Sequence, residues 1–320
     1  MHVRERIYIY PEKLPGNEYL INNIGIWEKM GYEVLSWKKN FFKFILPTGW
    51  NKDIIILNFY EEMPLFKPYY IKFGFAILTL LLMKLFNRKI IWVRHNYKPH
   101  DKSTSWKYEV IINLLNRLVD KKVAHRNVEN LSIDEVITHP LYKVSLCRDE
   151  NSLVKERLNF IYFGVVKDYK GIPELVNKWP KDIELNLYGK CFDEGLKEEL
   201  IRSLSIKSNI SWTNDFITSK ELEEKIINSD YVIIPHVDKS MIVSGAFYHA
   251  LSLGANVIIK ESEFALWCKK EYPFIKVYND DNLQSILLDA EKTNHADIRN
   301  FVEEKNSDKK ISNEWAKVFN

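Results

Sequence analysis

At 320 residues the chain is long enough for about two domains, and 46% hydrophobic with 28% charged residues excludes a disordered or fibrous protein. Cys147, Cys191 and Cys268 show neither a CxxC pair nor a Cys/His ligand spacing, which points to a reduced, cytoplasmic chain without structural zinc. The net charge of +3 conceals an asymmetry, because between Pro64 and Arg126 stand 13 basic and 3 acidic residues, a +10 segment suited to an anionic partner such as lipid headgroups, a pyrophosphate-linked acceptor or nucleic acid.

The opening MHVRERIYIY runs straight into a strand pattern, so no signal peptide is expected. RIYIY at 6–10, YEVLSW at 32–37, DIIILNF at 53–59, KIIWVRH at 89–95 and KKVAH at 121–125 read as strands, with helical patterns at 17–29 and 106–118. Between them lies FGFAILTLLLM at 73–83, the most apolar run. Its eleven residues fall short of the ~20 needed to span a bilayer. It is either a buried helix or one lying on a membrane surface, flanked by Lys67, Lys72, Lys84, Arg88 and Lys89. Polar CRDENSLVKER at 147–157 interrupts the alternation and places a domain join within 140–158. Strands resume with NFIYFG at 159–164, IELNLYG at 183–189, DYVIIPH at 230–236, NVIIKE at 256–261 and IKVYN at 275–279, with helical patterns at 171–179, 219–228 and 244–253. This alternation predicts an α/β architecture of two Rossmann-like, doubly wound parallel domains, 1–150 and 151–305, with a tail segment at 306–320. Ligands of such sheets lie beyond the carboxyl ends of the strands, so a cleft between facing domains is the expected site.

Several chemistries are excluded at once. No two of the 11 glycines stand as G-x-G, no Walker A loop, HExxH or G-x-S-x-G is present, and no aspartates form D-x-D. A metal-independent site without a bound cofactor is therefore expected. After the strand at 159–164, Lys167 and Lys170 occupy a strand-to-helix loop behind Gly164 and can neutralise a diphosphate leaving group. Ser244-Gly245-Ala246 opens a helix after the strand at 230–236; its free amides and helix dipole suit a phosphate. His95, Asn96 and His100 follow the strand at 89–95, and Glu61 closes the strand at 53–59, where a cleft-facing carboxylate could act as general base.

Together these residues resemble family-4-like bacterial glycosyltransferases of the GT-B fold that act in exopolysaccharide, capsule and O-antigen assembly. Pro15-Gly16-Asn17-Glu18-Tyr19 is similar to the N-P-Y segment of that family, Asn58-Phe59-Tyr60-Glu61 to its H-W-P-E strand end, and Trp92-Val93-Arg94-His95-Asn96-Tyr97-Lys98-Pro99-His100-Asp101 to its W-T-V-H-N-x-x-P-H-E loop. Tyr162-Phe163-Gly164 through Tyr169-Lys170-Gly171 resembles F-G-R-I-R-P-Y-K-G, Phe216-Ile217 resembles the segment near the nucleotide base, and Ser244-Gly245 with Gly254 to Ile258 resembles the donor loop. The tail containing Trp315 resembles the closing helix that crosses back to the first domain. The chain departs from the pattern at Val165, where the family has Arg, and at Met241 and His249, where retaining members carry glutamates.

The resemblance implies transfer of a sugar from a nucleotide-diphosphate sugar to a glycan or lipid-linked glycan acceptor, at the inner face of the cytoplasmic membrane and on an anionic membrane surface. Gly164, Lys167, Lys170, Gly189, Phe216, Ile217, Ser244, Gly245 and Ala246 would hold the donor; Asn17, Tyr19, Asn96 and His100 the acceptor; Glu61 and His95 would be catalytic. The rival readings are a GT-B sugar-nucleotide epimerase and a non-catalytic membrane- or nucleic-acid-binding protein, although no aromatic-basic recognition motif for nucleic acid is visible.

Overall fold

A computed structural model describes residues 5–11, 17–40, 53–86, 89–97, 105–146, 158–237 and 241–320. The chain divides into two compact units: Met1–Pro140 with Ser240–Val243 and Asn306–Asn320, and Leu141–Lys239 with Ser244–Lys305. The division falls at Pro140, and residues 240–243 count with the first unit.

In the first unit, β1 (Arg6–Tyr10), β2 (Glu33–Ser36), β3 (Ile54–Asn58), β4 (Lys89–Arg94), β5 (Lys121–Ala124) and β6 (Glu135–Val136) form one sheet in the order β2-β1-β3-β4-β5-β6. Every pairing is parallel. Successive side chains point to opposite faces, and both faces are buried, so the strands read as nearly continuous Ile/Val/Leu runs. Ile7, Ile9, Ile54, Ile56, Ile91 and Val93 pack on Trp27 and Ile24 of α1 (Glu18–Lys29). Tyr8, Ile55, Leu57, Ile90 and Trp92 pack on Ala76, Leu80 and Met83 of α2 (Tyr69–Leu85) and on Ile111 and Leu115 of α3 (Trp106–Leu118). The apolar run at 73–83 thus lies in a helix that is buried along one face only; its other face is exposed.

The second unit repeats the plan. Its strands β7 (Phe160–Phe163), β8 (Leu185–Tyr188), β9 (Ile210–Thr213), β10 (Tyr231–Ile234), β11 (Asn256–Lys260) and β12 (Lys276–Tyr278) are ordered β12-β11-β10-β7-β8-β9, again all parallel. Helices α4 (Ile172–Lys178), α5 (Glu194–Leu204), α6 (Ser219–Ile227), α7 (Gly245–Ser252), α8 (Glu263–Glu271), α9 (Leu283–Leu288) and α10 (His295–Lys305) connect and cover them. Their starts are capped as the sequence dictates. Asp193 accepts from Leu196 N, Ser262 accepts from Ala265 N, and Thr218 with Glu221 forms a reciprocal capping box.

The tail forms α11 (Asp308–Phe319), and Ile311, Trp315, Val318 and Phe319 join the core face already occupied by α1. The Trp315 indole N–H donates to Asn23 Oδ1 at 3.1 Å, and the Glu314 carboxylate accepts from the Thr138 amide and hydroxyl at 2.7 and 3.0 Å. Lys89 donates to the Phe319 carbonyl at 2.9 Å, so this lysine fastens the tail.

Two strands escaped the sequence reading. β6 has two residues and β9 is only ISWT, both too short and too polar in context to show alternation.

Candidate functional site

In the second unit, the sites singled out after β7, β8, β9 and β10 share the carboxyl edge of four neighbouring strands. The β7 chain leaves the sheet at Gly164 with φ of +117°, and the β8 chain leaves at Gly189 with φ of +154°. The two backbones approach so closely that a Cβ on Gly189 would strike the Gly164 carbonyl. Only glycine fits there. The bare Gly164 backbone is roofed by Lys170, whose Nζ lies 3.1 Å from where a Cβ would stand. Lys170 ends a 3-10 turn, Asp168–Lys170, closed by Gly171 in the left-handed conformation. Lys167 and Lys170 flank the Tyr169 ring at 5.8 and 6.0 Å. Two half-buried lysines therefore stand on the loop that leaves β7, with Lys170 over the Gly164 backbone.

Beyond β10, Ser244 caps α7 by accepting from Phe247 N at 3.4 Å; Gly245 is exposed and Ala246 half-buried. The Tyr142 hydroxyl stands 2.9 Å from the position a Gly245 Cβ would take, so a side chain here would have to displace that hydroxyl. One turn on, His249 lies between the rings of Tyr142 at 5.4 Å and Phe163 at 5.7 Å. Burial lowers its pKa, against the opposing pull of Glu223. This aromatic setting replaces the carboxylate that the resemblance would place at that position. Phe216 is exposed, and Ile217 half-buried. The sequence reading missed its partner Phe192, also exposed, 5.6 Å from Phe216 with Lys190 Nζ over both rings. The available signal was an aromatic three residues past Gly189.

In the first unit, the carboxyl edge of the sheet carries one histidine after each of three adjacent strands: His95 after β4, His125 after β5 and His139 just beyond β6. His95 is 4% exposed and lies flat on Phe59, with ring centroids 4.1 Å apart. Asn58 spends its amide N–H on the Tyr10 carbonyl at 3.3 Å, so its Oδ1 accepts from His95 Nε2 at 3.0 Å. That leaves the ring's lone pair on Nδ1. Tyr19 presents its ring edge to His95 at 4.8 Å and donates its hydroxyl to His125 Nε2 at 3.1 Å. His125 Nδ1 donates to the Ile137 carbonyl, and His139 Nδ1 to the Pro140 carbonyl. Burial drives the pKa of His95 and His139 well below the usual 6.5, and that of His125 to about 4. His125 was not singled out in the sequence, and His139 only within His139-Pro140-Leu141-Tyr142, which resembles the family's P-H-G-x-Y stretch near the domain junction; each sits just past a strand end, like His95.

Three of the expected acceptor residues take other positions than a free surface. Tyr19 is buried in the histidine cluster. Asn17 caps α1 by accepting from Leu20 N at 3.1 Å. Asn96 is half-buried and bridges to Met241. His100 lies outside the described residues.

Glu61 needs correction. It does not close β3 facing outward: the strand stops at Asn58, Phe59 turns left-handed at φ of 53°, and Glu61 enters a 3-10 turn that buries it to 2% exposure. Its carboxylate accepts from the Trp92 indole N–H at 2.9 Å. Burial raises its pKa to about 7, despite the indole and Arg94 pulling the other way.

Among the described residues no cluster of three or more His, Cys, Asp or Glu is placed to hold a metal ion.

Both units have the doubly wound parallel arrangement of GT-B glycosyltransferases, and the fold is of that type. No protein-family model and no curated protein matches the sequence. Among solved structures, HepE of Anabaena in complex with UDP and glucose aligns over 99% of both chains with a TM-score of 0.68 and 11% identity. A UDP-forming trehalose-phosphate synthase from Burkholderia xenovorans aligns over 88% of this chain and 75% of its own, with a TM-score of 0.60 and 12% identity. The pneumococcal O-GlcNAc transferase GtfA in complex with UDP and GlcNAc covers 84% of this chain and 56% of its own, with a TM-score of 0.56 and 12% identity.

Proposed function

We infer that the protein is a glycosyltransferase that moves a sugar from a nucleotide-diphosphate donor to a glycan acceptor, without a bound metal. The observation that carries this reading is Lys170 over the Gly164 backbone, where it meets Gly189, with Lys167 on the same loop, beside the strand that leads to the capped start of α7. As the bond from the anomeric carbon to the diphosphate breaks, negative charge grows on the leaving group, and two ammonium groups with free helix amides stabilise it. Phe192 and Phe216, with Lys190, offer flat apolar faces for the nucleobase. In the first unit His95, whose Nδ1 keeps its lone pair, is the residue assigned to take the acceptor hydroxyl's proton. UDP is the nucleotide to try first, since it is the one named for the similar structures. The reading extends to a lipid-linked glycan precursor as acceptor, made at the inner face of the cytoplasmic membrane in capsule, O-antigen or exopolysaccharide assembly.

The test is calorimetric titration with UDP and uridine, followed by Lys170→Ala. Losing one charge-assisted contact should weaken UDP about 10- to 150-fold and leave uridine within about threefold. Equal losses for both would mean that Lys170 does not meet phosphate. Activity that persists in EDTA is expected. Conversion of a sugar nucleotide with no acceptor present would instead favour an epimerase.

A further inference from the structure

Helix α2 breaks the usual bargain of a surface helix. It is apolar on every side, with about three lysine-free turns between Lys72 and Lys84, yet only Ala76, Thr79, Leu80 and Met83 are buried. A helix of that kind is normally enclosed by protein or by lipid. Here the outward face is bare: Ile71 is 72% exposed, Leu78 54% and Leu85 74%, with Phe75 and Leu81 between them. No described helix is long and apolar enough to cross a membrane, so a spanning role does not explain the face.

The surroundings of the stripe specify what would cover it. From Phe66 to Phe86 the chain holds Lys67, Lys72 and Lys84 and no acidic residue. Lys84 is paired to Asp120 at 2.7 Å, whereas the exposed Lys67 and the half-buried Lys72 stand at the opposite end. At that same end Tyr69, Tyr70 and Trp106 are exposed, and Lys107 Nζ lies 4.3 Å from the Tyr70 ring centre and 5.5 Å from that of Trp106. Amphipathic rings next to lysines, continuous with a row of bare aliphatic side chains, match the water–lipid boundary of a bilayer with anionic headgroups. A protein groove would satisfy the aliphatic row, but it would leave the lysine and aromatic end without a reason.

We propose that the outward face of α2, with Trp106 and Lys107 at the start of α3, is a docking surface for an anionic lipid bilayer, into which Ile71, Phe75, Leu78 and Leu81 insert shallowly. This deepens the transferase reading by placing the first unit on the membrane that would carry a lipid-linked acceptor.

The full chain is floated with vesicles of phosphatidylcholine alone and of phosphatidylcholine mixed with phosphatidylglycerol. Binding is expected only to the mixed vesicles at low salt. It should fall as salt rises from ~0.1 M to ~1 M, where the Debye length shrinks from ~10 Å to ~3 Å. Lys67→Glu and Lys72→Glu should each lower partitioning about fivefold or more. Leu78→Glu with Leu81→Glu should lower it at least about tenfold. Both leucines are exposed, so melting temperature should hold; Ile71→Asp is the independent second variant. The proposal is overturned if the wild-type chain ignores anionic vesicles at low salt, or if binding survives both apolar variants. A dimer in solution that Leu78→Glu with Leu81→Glu dissolves, without vesicle binding, would make the face a self-interface and equally overturn it. UDP binding, measured on the same samples, keeps the two readings apart. Vesicle binding without UDP binding sinks the transferase and leaves the docking surface; the reverse sinks only the docking surface.

Discussion

Replacing His95 by Ala should lower turnover about 100- to 10,000-fold while nucleoside-diphosphate affinity stays within about threefold. The Nδ1 of His95 is left as an acceptor by a defined neighbour, because Asn58 Oδ1 holds Nε2–H. Its pKa is pushed well below 6.5 by burial and by the neighbouring His125. The ring is therefore neutral at physiological pH, and the rate should stay flat on lowering pH to about 6.5 and drop only below it. Removing the ring also takes a stacking partner from Phe59, so melting temperature is recorded beside kcat. Asn58→Leu, which frees the ring without deleting it, should give a smaller loss in kcat. Wild-type turnover in His95→Ala would remove this residue from the chemistry.

The second large effect is on stability, and its sign runs against intuition. Glu61→Gln should stabilise the protein at pH 8 by about 3 kcal/mol, because burial lifts this carboxyl from 4.5 to about 7 at ~1.4 kcal/mol per tenfold in proton affinity. Above pH 7 the folded chain holds an ionised carboxylate that the unfolded chain would solvate better. Glutamine keeps the acceptor for the Trp92 indole and carries no charge. Between about pH 7 and 4.5 the folded state takes up the proton first, so the advantage of the variant shrinks toward zero. The histidines act oppositely. His125, neutral in the fold until about pH 4 and protonated in the unfolded chain below 6.5, contributes stability that is present above 6.5 and lost on acidification toward 4; His95 and His139 shift the same way. Three such groups outweigh Glu61, so wild-type stability should fall from pH 6.5 downward, and the fall should be steeper in Glu61→Gln. Urea midpoints at pH 8 and 5.5 check both statements. Turnover close to wild type in the same variant would agree with a carboxyl closed to substrate; a loss as deep as that of His95→Ala would restore Glu61 to the mechanism.

The parallel sheets were legible because burial on both faces forces unbroken β-branched strands, and DIIILN or YVIIP cannot be read otherwise. The glycines at strand ends were legible for a related reason: the loop behind Gly164 carries lysines where a strand must turn into a helix. What escaped depended on contacts far apart in sequence. Adjacent Glu61 and Glu62 look alike in the chain, and only the left-handed Phe59 sends one of them beneath Trp92. His125 and His139 are ordinary in isolation and become a cluster only through the order β4-β5-β6. The run at 73–83 read as either buried or lipid-facing, and it lies between those extremes, since α2 is too apolar to show by periodicity which side meets the sheet.

The manner in which α11 completes the first core bears on how the chain is made. All of the second unit is translated before Asn306, whereas Ile311, Trp315 and Val318 belong to the layer under Ile7 and Ile56. A ribosome must therefore deliver α11 before the earliest-made sheet can seal, and the unit synthesised second is the first able to finish folding. A stop codon at Ser307 would remove α11, yet it would leave the amino-terminal unit, not the second one, as the part that fails.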